Sequence, residues 1–333
     1  MNTQSDSKNK TLILRSEILK YMRQWFEMNN FIGIEAPILV DTPDLSPNFK
    51  ILTTKVHCQS QQFSKALITS PEFSMKKLLA LGLNKIYTIT KVFRDNETET
   101  GIHAIEFTML EWYGENADYR QTMADTENLV YFLNKKINPA EKDWINFQNI
   151  RCKITPPWPR YKISDLFKKY GRIKNVEKLT LSEFKKIIFQ RGYSQDKNLT
   201  WEQCFNLIFL NEIESNLPKN QAFFLIDWPA KLALYAKLKN KWIGERYEAC
   251  IAALELCNGY SELTDGKEQL KRFKAELAER KKYHKQIFPL DFELCKSLAL
   301  IKKASGNALG VDRLVMILLD IDSIDKVLTF PIE

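Results

Sequence analysis

The chain has 333 residues, 44% of them hydrophobic, and a formal net charge of +8. That length supports one large core or two moderate ones, and no uninterrupted apolar run approaches a membrane span, so a soluble cytoplasmic protein is expected. Six cysteines (58, 152, 204, 250, 257 and 295) form no CxxC pair beside three histidines, which argues against structural zinc. The positive charge suits a nucleic acid or an acidic protein partner, and its even spread does not choose between them.

Met1 to Lys10 is polar and is expected to fray. Apolar side chains then recur at helical spacing through 12–29 (Ile18, Met22, Trp25, Phe26), predicting a helix with one buried stripe. A short strand over 31–37 is limited by Pro37, and Pro43 and Pro47 make 41–48 a loop. Short strands are expected at 51–58 and 66–69. Ser70-Pro71-Glu72 predicts a helix start, with serine at the cap, Met75, Leu78 and Leu79 inside, and a close near Gly82.

Residues 85–93 alternate and pair with 105–113 as an antiparallel hairpin, its long connection carrying His103. On the second strand Ile105, Phe107, Met109, Glu111 and Tyr113 share one face, and Glu106, Thr108, Leu110 and Trp112 the other. A plain core strand does not set carboxylates beside aromatics, because an unpaired buried charge is costly. Two readings stay open: an edge strand with solvated glutamates, or a site in which Glu111 and Tyr113 grip a cation while Phe107 offers a flat platform. Arg94, ending the first strand, is a fork suited to phosphate or carboxylate.

The pattern is helical over 119–133. Roughly 140–220 is read as a helical excursion packed on the main body, with Ser164 or Asp165 capping one helix, another from Ser182, and a capping box at Thr200–Gln203. Ala222–Ile226 is a buried strand ending at Asp227-Trp228-Pro229. From Trp242 to Glu262 the chain holds Glu245, Glu248, Glu255 and Glu262, with a break at Asn258-Gly259. Glu248 and Glu255 differ in strand parity and meet only if a bulge intervenes or both reach around an end. They are then either ordinary salt-bridged glutamates or holders of Mg²⁺ with nucleotide phosphates. Asp265–Lys285 is a charged helix whose outer face is given to solvent. Last, 305–317 reads as a short strand between Gly306 and Gly310, then an apolar helix from Val311. Arg313 in its first turn opposes the helix dipole and so needs another partner, such as phosphates or an adenine ring. No lysine follows Gly310, so this is not a phosphate loop of the GxxxxGK type.

Three of these stretches, 31–37, 93–113 and 306–317, resemble in order the signature motifs of class II aminoacyl-tRNA synthetases. With Ser70-Pro-Glu72 and Glu255-Leu-Cys-Asn-Gly-Tyr-Ser-Glu262, the likeness over 15–330 is to the lysyl-tRNA synthetase catalytic domain. Phe107–Tyr113, Gly259–Asp265 and Ala308–Arg313 resemble most the stand-alone paralogue that attaches (R)-β-lysine to elongation factor P. The resemblance implies an α+β fold, a mainly antiparallel sheet of about six or seven strands flanked by helices, in a homodimer. It implies a flexible 1–14, one catalytic domain over 15–333 and no anticodon-binding domain. It further implies ATP and Mg²⁺, lysine or (R)-β-lysine as substrate, and elongation factor P, ahead of tRNA, as acceptor.

By position, the resemblance implies that Arg94 holds the α-phosphate, Glu97 or its neighbour meets the adenine amine, and His103 touches the distal phosphates. Phe107 and Arg313 sandwich the adenine beside Gly310, and Glu248 and Glu255 hold Mg²⁺. Glu72, Glu111, Tyr113, Asn258 and Glu262 surround the amino acid, with Ala308 shaping its pocket. Fixed carboxylates select a diamino acid over leucine or glutamine. The chain departs from the family in writing Phe93-Arg-Asp-Asn-Glu97 for Phe-Arg-Asn-Glu. It also lacks the arginine usual before His103, which implies one phosphate contact fewer.

Overall fold

The computed structural model describes residues 2–45, 50–59, 61–95 and 101–331. Helix α1 (Asn2–Met28) precedes two short strands, β1 (Ile32–Gly33) and β2 (Leu39–Val40). Strands β3 (Thr53–Cys58) and β4 (Gln61–Leu67) lead to helix α2 (Glu72–Ala80), the long hairpin β5 (Lys85–Phe93) and β6 (Glu106–Glu115), and helix α3 (Tyr119–Ile137). A small hairpin follows, β7 (Trp144–Phe147) and β8 (Ile150–Lys153), then β9 (Arg160–Lys162) and helices α4 (Ile163–Lys169), α5 (Leu181–Gln190) and α6 (Trp201–Ile208). Strands β10 (Phe223–Pro229), β11 (Leu238–Asn240), β12 (Ile243–Ile251) and β13 (Leu254–Ser261) complete the middle of the chain. It ends with α7 (Gly266–Lys282), α8 (Phe292–Leu298), β14 (Ala304–Gly310), α9 (Val311–Leu319) and α10 (Ile324–Val327).

Among the described residues the main sheet has nine strands in the order β1-β5-β6-β14-β13-β12-β10-β9, with β11 beside β12. It is antiparallel except where β1 meets β5 and β9 meets β10. The expected sheet was smaller: β9 and β11 are pieces of three residues, too short to show alternation. The alternation of β6 now has a reason. Leu110 and Trp112 pack with α1, α3 and α9 on one side, while Tyr113 and Met109 face the other. A separate apolar cluster joins α4, α5 and α6 to β10.

Four local readings change. The first helix begins at Asn2, and Lys8 Nζ, on its polar first part, donates to the Asp325 carbonyl at 2.8 Å. This contact ties the helix, at Lys8, to the C-terminal segment. The helical excursion starts at Ile163, because 144–153 is a hairpin turning at Gln148 and Asn149, both with positive φ (50° and 62°). Asn258-Gly259 lies inside β13. The turn sits instead at Ala252 and Ala253, held at φ of 50° and 68°, a conformation that alanine does not advertise. Finally, α7 gives one charged face to a cavity: Glu268, Arg272, Glu276 and Glu279 all line it.

Candidate active site

The cavity holds about 740 Å³ and lies on the Glu111 side of the sheet, framed by β6, β12, β13 and β14 and closed by α7 and residues 230–238. Arginines collect at one end. Arg94, just past β5, stands over the Phe107 ring at 5.2 Å. Arg313 lies in the first turn of α9, where the exposed amides repel a cation, and acceptors from outside that helix offset the repulsion. It donates to the Glu255 carbonyl at 2.9 Å and the Ile102 carbonyl at 3.3 Å, and its Nη2 lies 2.6 Å from His103 Nε2. A guanidinium can only donate, so His103 Nε2 accepts. Burial, then the Arg313 and Arg94 charges, push His103 down to about 4 against the opposing pull of Glu255, so the ring is neutral at pH 7.

Behind Arg313, Asp312 is buried and ties three elements together. Its Oδ2 accepts from the Thr108 amide at 2.6 Å, and its Oδ1 lies 2.6 Å from Arg15 Nη1 of α1. Arg15 also donates to Thr108 Oγ1 at 2.9 Å. Residues adjacent to both Phe107 and Arg313 are thereby fixed to one guanidinium.

Glu248 and Glu255 meet through the first of the two geometries left open above. The β12–β13 register pairs Ala249 with Cys257 and then Cys250 with Glu255, a bulge that skips Leu256 and brings both glutamates to the cavity. Burial and the Glu255 charge raise Glu248 to about 8, and Arg246, donating at 2.6 Å, opposes the rise. A buried carboxylate whose ionisation a neighbouring carboxylate opposes, as at Glu248, is what a hard divalent cation relieves. Among the described residues no cluster of three or more metal-ligating side chains occurs. A Mg²⁺ ion here would therefore complete its shell with phosphate oxygens or water, and the pair fits that use.

Carboxylates collect at the other end. Glu72 lines the cavity, whereas Glu111, Tyr113 and Glu262 lie immediately behind its wall and are almost inaccessible. Ser70 Oγ donates to Glu111 at 2.8 Å and accepts from the Glu72 amide at 3.0 Å, so the residue expected as a cap joins the helix start to the strand. Tyr113 donates to the other Glu111 oxygen, and Tyr260 donates to Glu72 at 2.5 Å. Burial, with the neighbouring Glu72 charge, raises Glu111 to about 8. Burial raises Glu262 to about 8 as well, although Lys76 pulls it down. Glu262 Oε1 has no hydrogen-bond partner among the described residues. The site also explains Gly306. A Cβ there would lie 2.3 Å from the Tyr113 ring and 2.6 Å from Glu262 Oε1.

Of the expected site residues, Arg94, His103, Phe107, Gly310 and Arg313 share the arginine end, and Ala308 and Asn258 line the cavity as well. Asn258 already accepts from Arg246 at 3.1 Å. Glu97 lies outside the described residues. Sequence reasoning missed Arg246, Arg272, Tyr260 and Lys76. Arg272 Nη1 holds the carbonyls of Ala233, Leu234 and Ala236 at 2.9–3.1 Å, clamping the segment over the cavity. Lys76 carried a signal: a lysine four residues after Glu72, between Met75 and Leu79, points inward on the helical period.

A family model for class II tRNA synthetases (D, K and N) matches residues 1–333. The lysine–tRNA ligase of Clostridium tetani is 32% identical over 327 residues, covering 96% of this chain and 64% of the relative. That of Listeria welshimeri is 30% identical over 333 residues (99% and 65%), and that of Wigglesworthia glossinidia brevipalpis 32% over 338 (99% and 66%). The chain thus spans about two thirds or less of the length of these relatives.

They overturn the expected kinship with the elongation factor P ligase, and with it elongation factor P as the acceptor. The three stretches behind that expectation run through β6, β13 and β14, which are neighbours in the sheet and flank the carboxylate pocket. Their place beside that pocket says nothing of an acceptor. With motif order, fold and site in agreement, the chain belongs to the class II tRNA synthetases of the D, K and N type.

Proposed function

We propose that the protein activates lysine with ATP and Mg²⁺ and passes the lysyl group to tRNA. The observation that carries this reading is the sealed cluster of Glu111, Glu262 and Tyr113 opening, past Glu72, onto an arginine-lined cavity. Sheltered carboxylates recognise ammonium groups, and an amino acid with a neutral or acidic side chain would leave one of them unpaired. The similarity to lysine–tRNA ligases supports the same substrate and acceptor.

In this scheme Glu72, Glu111 and Glu262 orient the two ammonium groups so that the substrate carboxylate faces the arginine end. A carboxylate oxygen attacks the α-phosphorus, the bond to the bridging oxygen breaks, and pyrophosphate leaves. Arg94 and Arg313 offset charge that develops on the α-phosphate, so most of the acceleration is positioning and preorganised electrostatics. Neutral His103 keeps Arg313 aimed without repelling phosphate. Glu248 and Glu255 would hold Mg²⁺, which would supply neutralisation of phosphate charge. A terminal ribose hydroxyl of tRNA then attacks the carbonyl of the mixed anhydride, and AMP leaves.

Lysine-dependent exchange of pyrophosphate into ATP tests the first step, and lysylation of total tRNA the second. Exchange without lysylation would restrict the reading to adenylate formation. Absence of both, with folded protein and Mg²⁺, would defeat it.

A further inference from the structure

Lys76 sits at the centre of the carboxylate end with 1% of its surface exposed. Its ammonium lies 2.5 Å from Glu72 and 2.5 Å from Glu262. The Tyr235 and Tyr260 rings flank it at 5.1 and 5.3 Å. Burying a lysine this completely is costly unless it is paired, and its two carboxylates raise its pKa above the ordinary value despite the burial. The ammonium is therefore permanent, and at least one of its partners must stay ionised to keep it so.

We propose that Lys76 is a specificity-determining residue, a resident counter-ion that matches the charge of the pocket to a substrate bearing two ammonium groups. The inference rests on the lysine-activating reading given above. Glu72, Glu111 and Glu262 supply three carboxylates, and Lys76 compensates one. Two remain, the number of ammonium groups on a diamino acid. Asp44, a fourth carboxylate nearby, accepts from the Tyr235 hydroxyl and is not one of the two carboxylates that the ammonium pairs with. Lys76 also holds Glu72 and Glu262 toward each other from α2 and the end of β13, leaving the other Glu262 oxygen open. Without this cation, the two glutamates it touches keep their protons to higher pH and receive an ammonium group less readily near neutrality.

The groups facing Lys76 set the sign of the pH effect. They are Glu72 on its own helix, Tyr260 from β13 and Glu262 just past it, Glu111 and Tyr113 from β6, and Tyr235 with Asp44 from the covering loops. Losing the ammonium raises the pKa of the two glutamates it touches, so lysine use should weaken near neutrality and recover as pH rises. The test is lysine-dependent pyrophosphate exchange by Lys76→Met, which keeps the volume, and Lys76→Arg, which keeps the charge.

For folded K76M the KM for lysine at pH 7.5 should rise tenfold or more, with the KM for ATP within twofold. That KM should fall more steeply between pH 7 and 8.5 than in the unaltered protein. K76R should stay within about fivefold for both substrates. A K76M protein with normal lysine KM and pH profile, or with ATP equally affected, would overturn the proposal. If K76M does not fold, K76R decides alone, since a tenfold loss of lysine use with ATP use intact would show that shape and not charge matters. Failure of the unaltered protein to exchange would defeat the underlying reading instead.

Discussion

The two ends of the cavity use opposite strategies for holding charge. Around the arginine end the guanidinium groups come from a loop, a helix start and the body of α7, and the partners of Arg313 and Arg272 are largely backbone carbonyls. Arg313 takes carbonyls at 102 and 255, and Arg272 takes three between 233 and 236. At the carboxylate end the charges stand on strands and on α2 and are held by other side chains: Ser70, Tyr113, Tyr260 and Lys76. A phosphate-binding end can stay wet and adjustable, because its ligand brings a large charge of its own. An ammonium-binding end must discriminate among amino acids, and discrimination requires desolvated groups that cannot be satisfied by the wrong side chain.

The largest expected effect falls on the frame that joins Phe107 to Arg313. Arg15→Met leaves Asp312 buried with the Thr108 amide alone, and losing one partner of a buried ion pair costs about 3–5 kcal/mol. Urea unfolding should show that loss, and the surviving fold should have a raised KM for ATP while its KM for lysine stays close to normal. An unchanged midpoint would remove this ion pair from the frame. Next comes Arg313→Ala, expected to lower exchange about 100- to 1,000-fold, the range for loss of one preorganised charge-stabilising donor. A fall confined to the lysine KM would break the division between the two ends.

These effects divide along the line that separates what sequence could show from what it could not. The β5–β6 hairpin, the α2 start and the strand-to-helix passage at 306–317 were legible, because period-two alternation, proline at a first turn and paired glycines are local signals. The odd alternation at Glu111 marked the carboxylate end before any fold was known. The small hairpin at 144–153 and the Ala252-Ala253 turn were illegible, since their left-handed residues are Gln, Asn and Ala with no glycine to announce them. The bulge at Leu256 depends on how β12 and β13 pair, which no local pattern specifies. Lys76 and Arg15 escaped for a related reason: a charge on a helix is assigned to solvent until the carboxylate that receives it, from a distant part of the chain, is in place.

At the carboxylate end, Glu111→Gln keeps the shape and removes the charge. It should raise the KM for lysine by about 10- to 150-fold, equivalent to about 1.5–3 kcal/mol for one sheltered charged hydrogen bond, and leave ATP almost untouched. Equal losses for lysine and norleucine, which has no side-chain ammonium, would place Glu111 outside the recognition of that group.

The smallest expected effect is on stability, and its sign is specific to a pocket of unsatisfied acids. Glu111 and Glu262 are raised from an ordinary value of 4.5 to about 8 in the folded protein. Between those values the folded state binds more protons than the unfolded chain, so stability must fall as pH rises through the window, the reverse of an ordinary ion-paired carboxylate. Substrate-free protein should therefore melt at a lower temperature at pH 8 than at pH 6, by roughly a few degrees. Saturating lysine should flatten the slope, because its ammonium groups pull the carboxyls back toward the ionised form. Glu111→Gln should lessen the slope without lysine, leaving the share that Glu262 and Glu248 contribute, which separates the pocket from the general effect of pH on a chain of net charge +8. Thermal melts of both proteins at pH 6 and 8, with and without lysine, provide the check. A substrate-free slope of the opposite sign, or one that Glu111→Gln leaves unchanged, would mean that these carboxyls are already ionised and that the pocket awaits no cation.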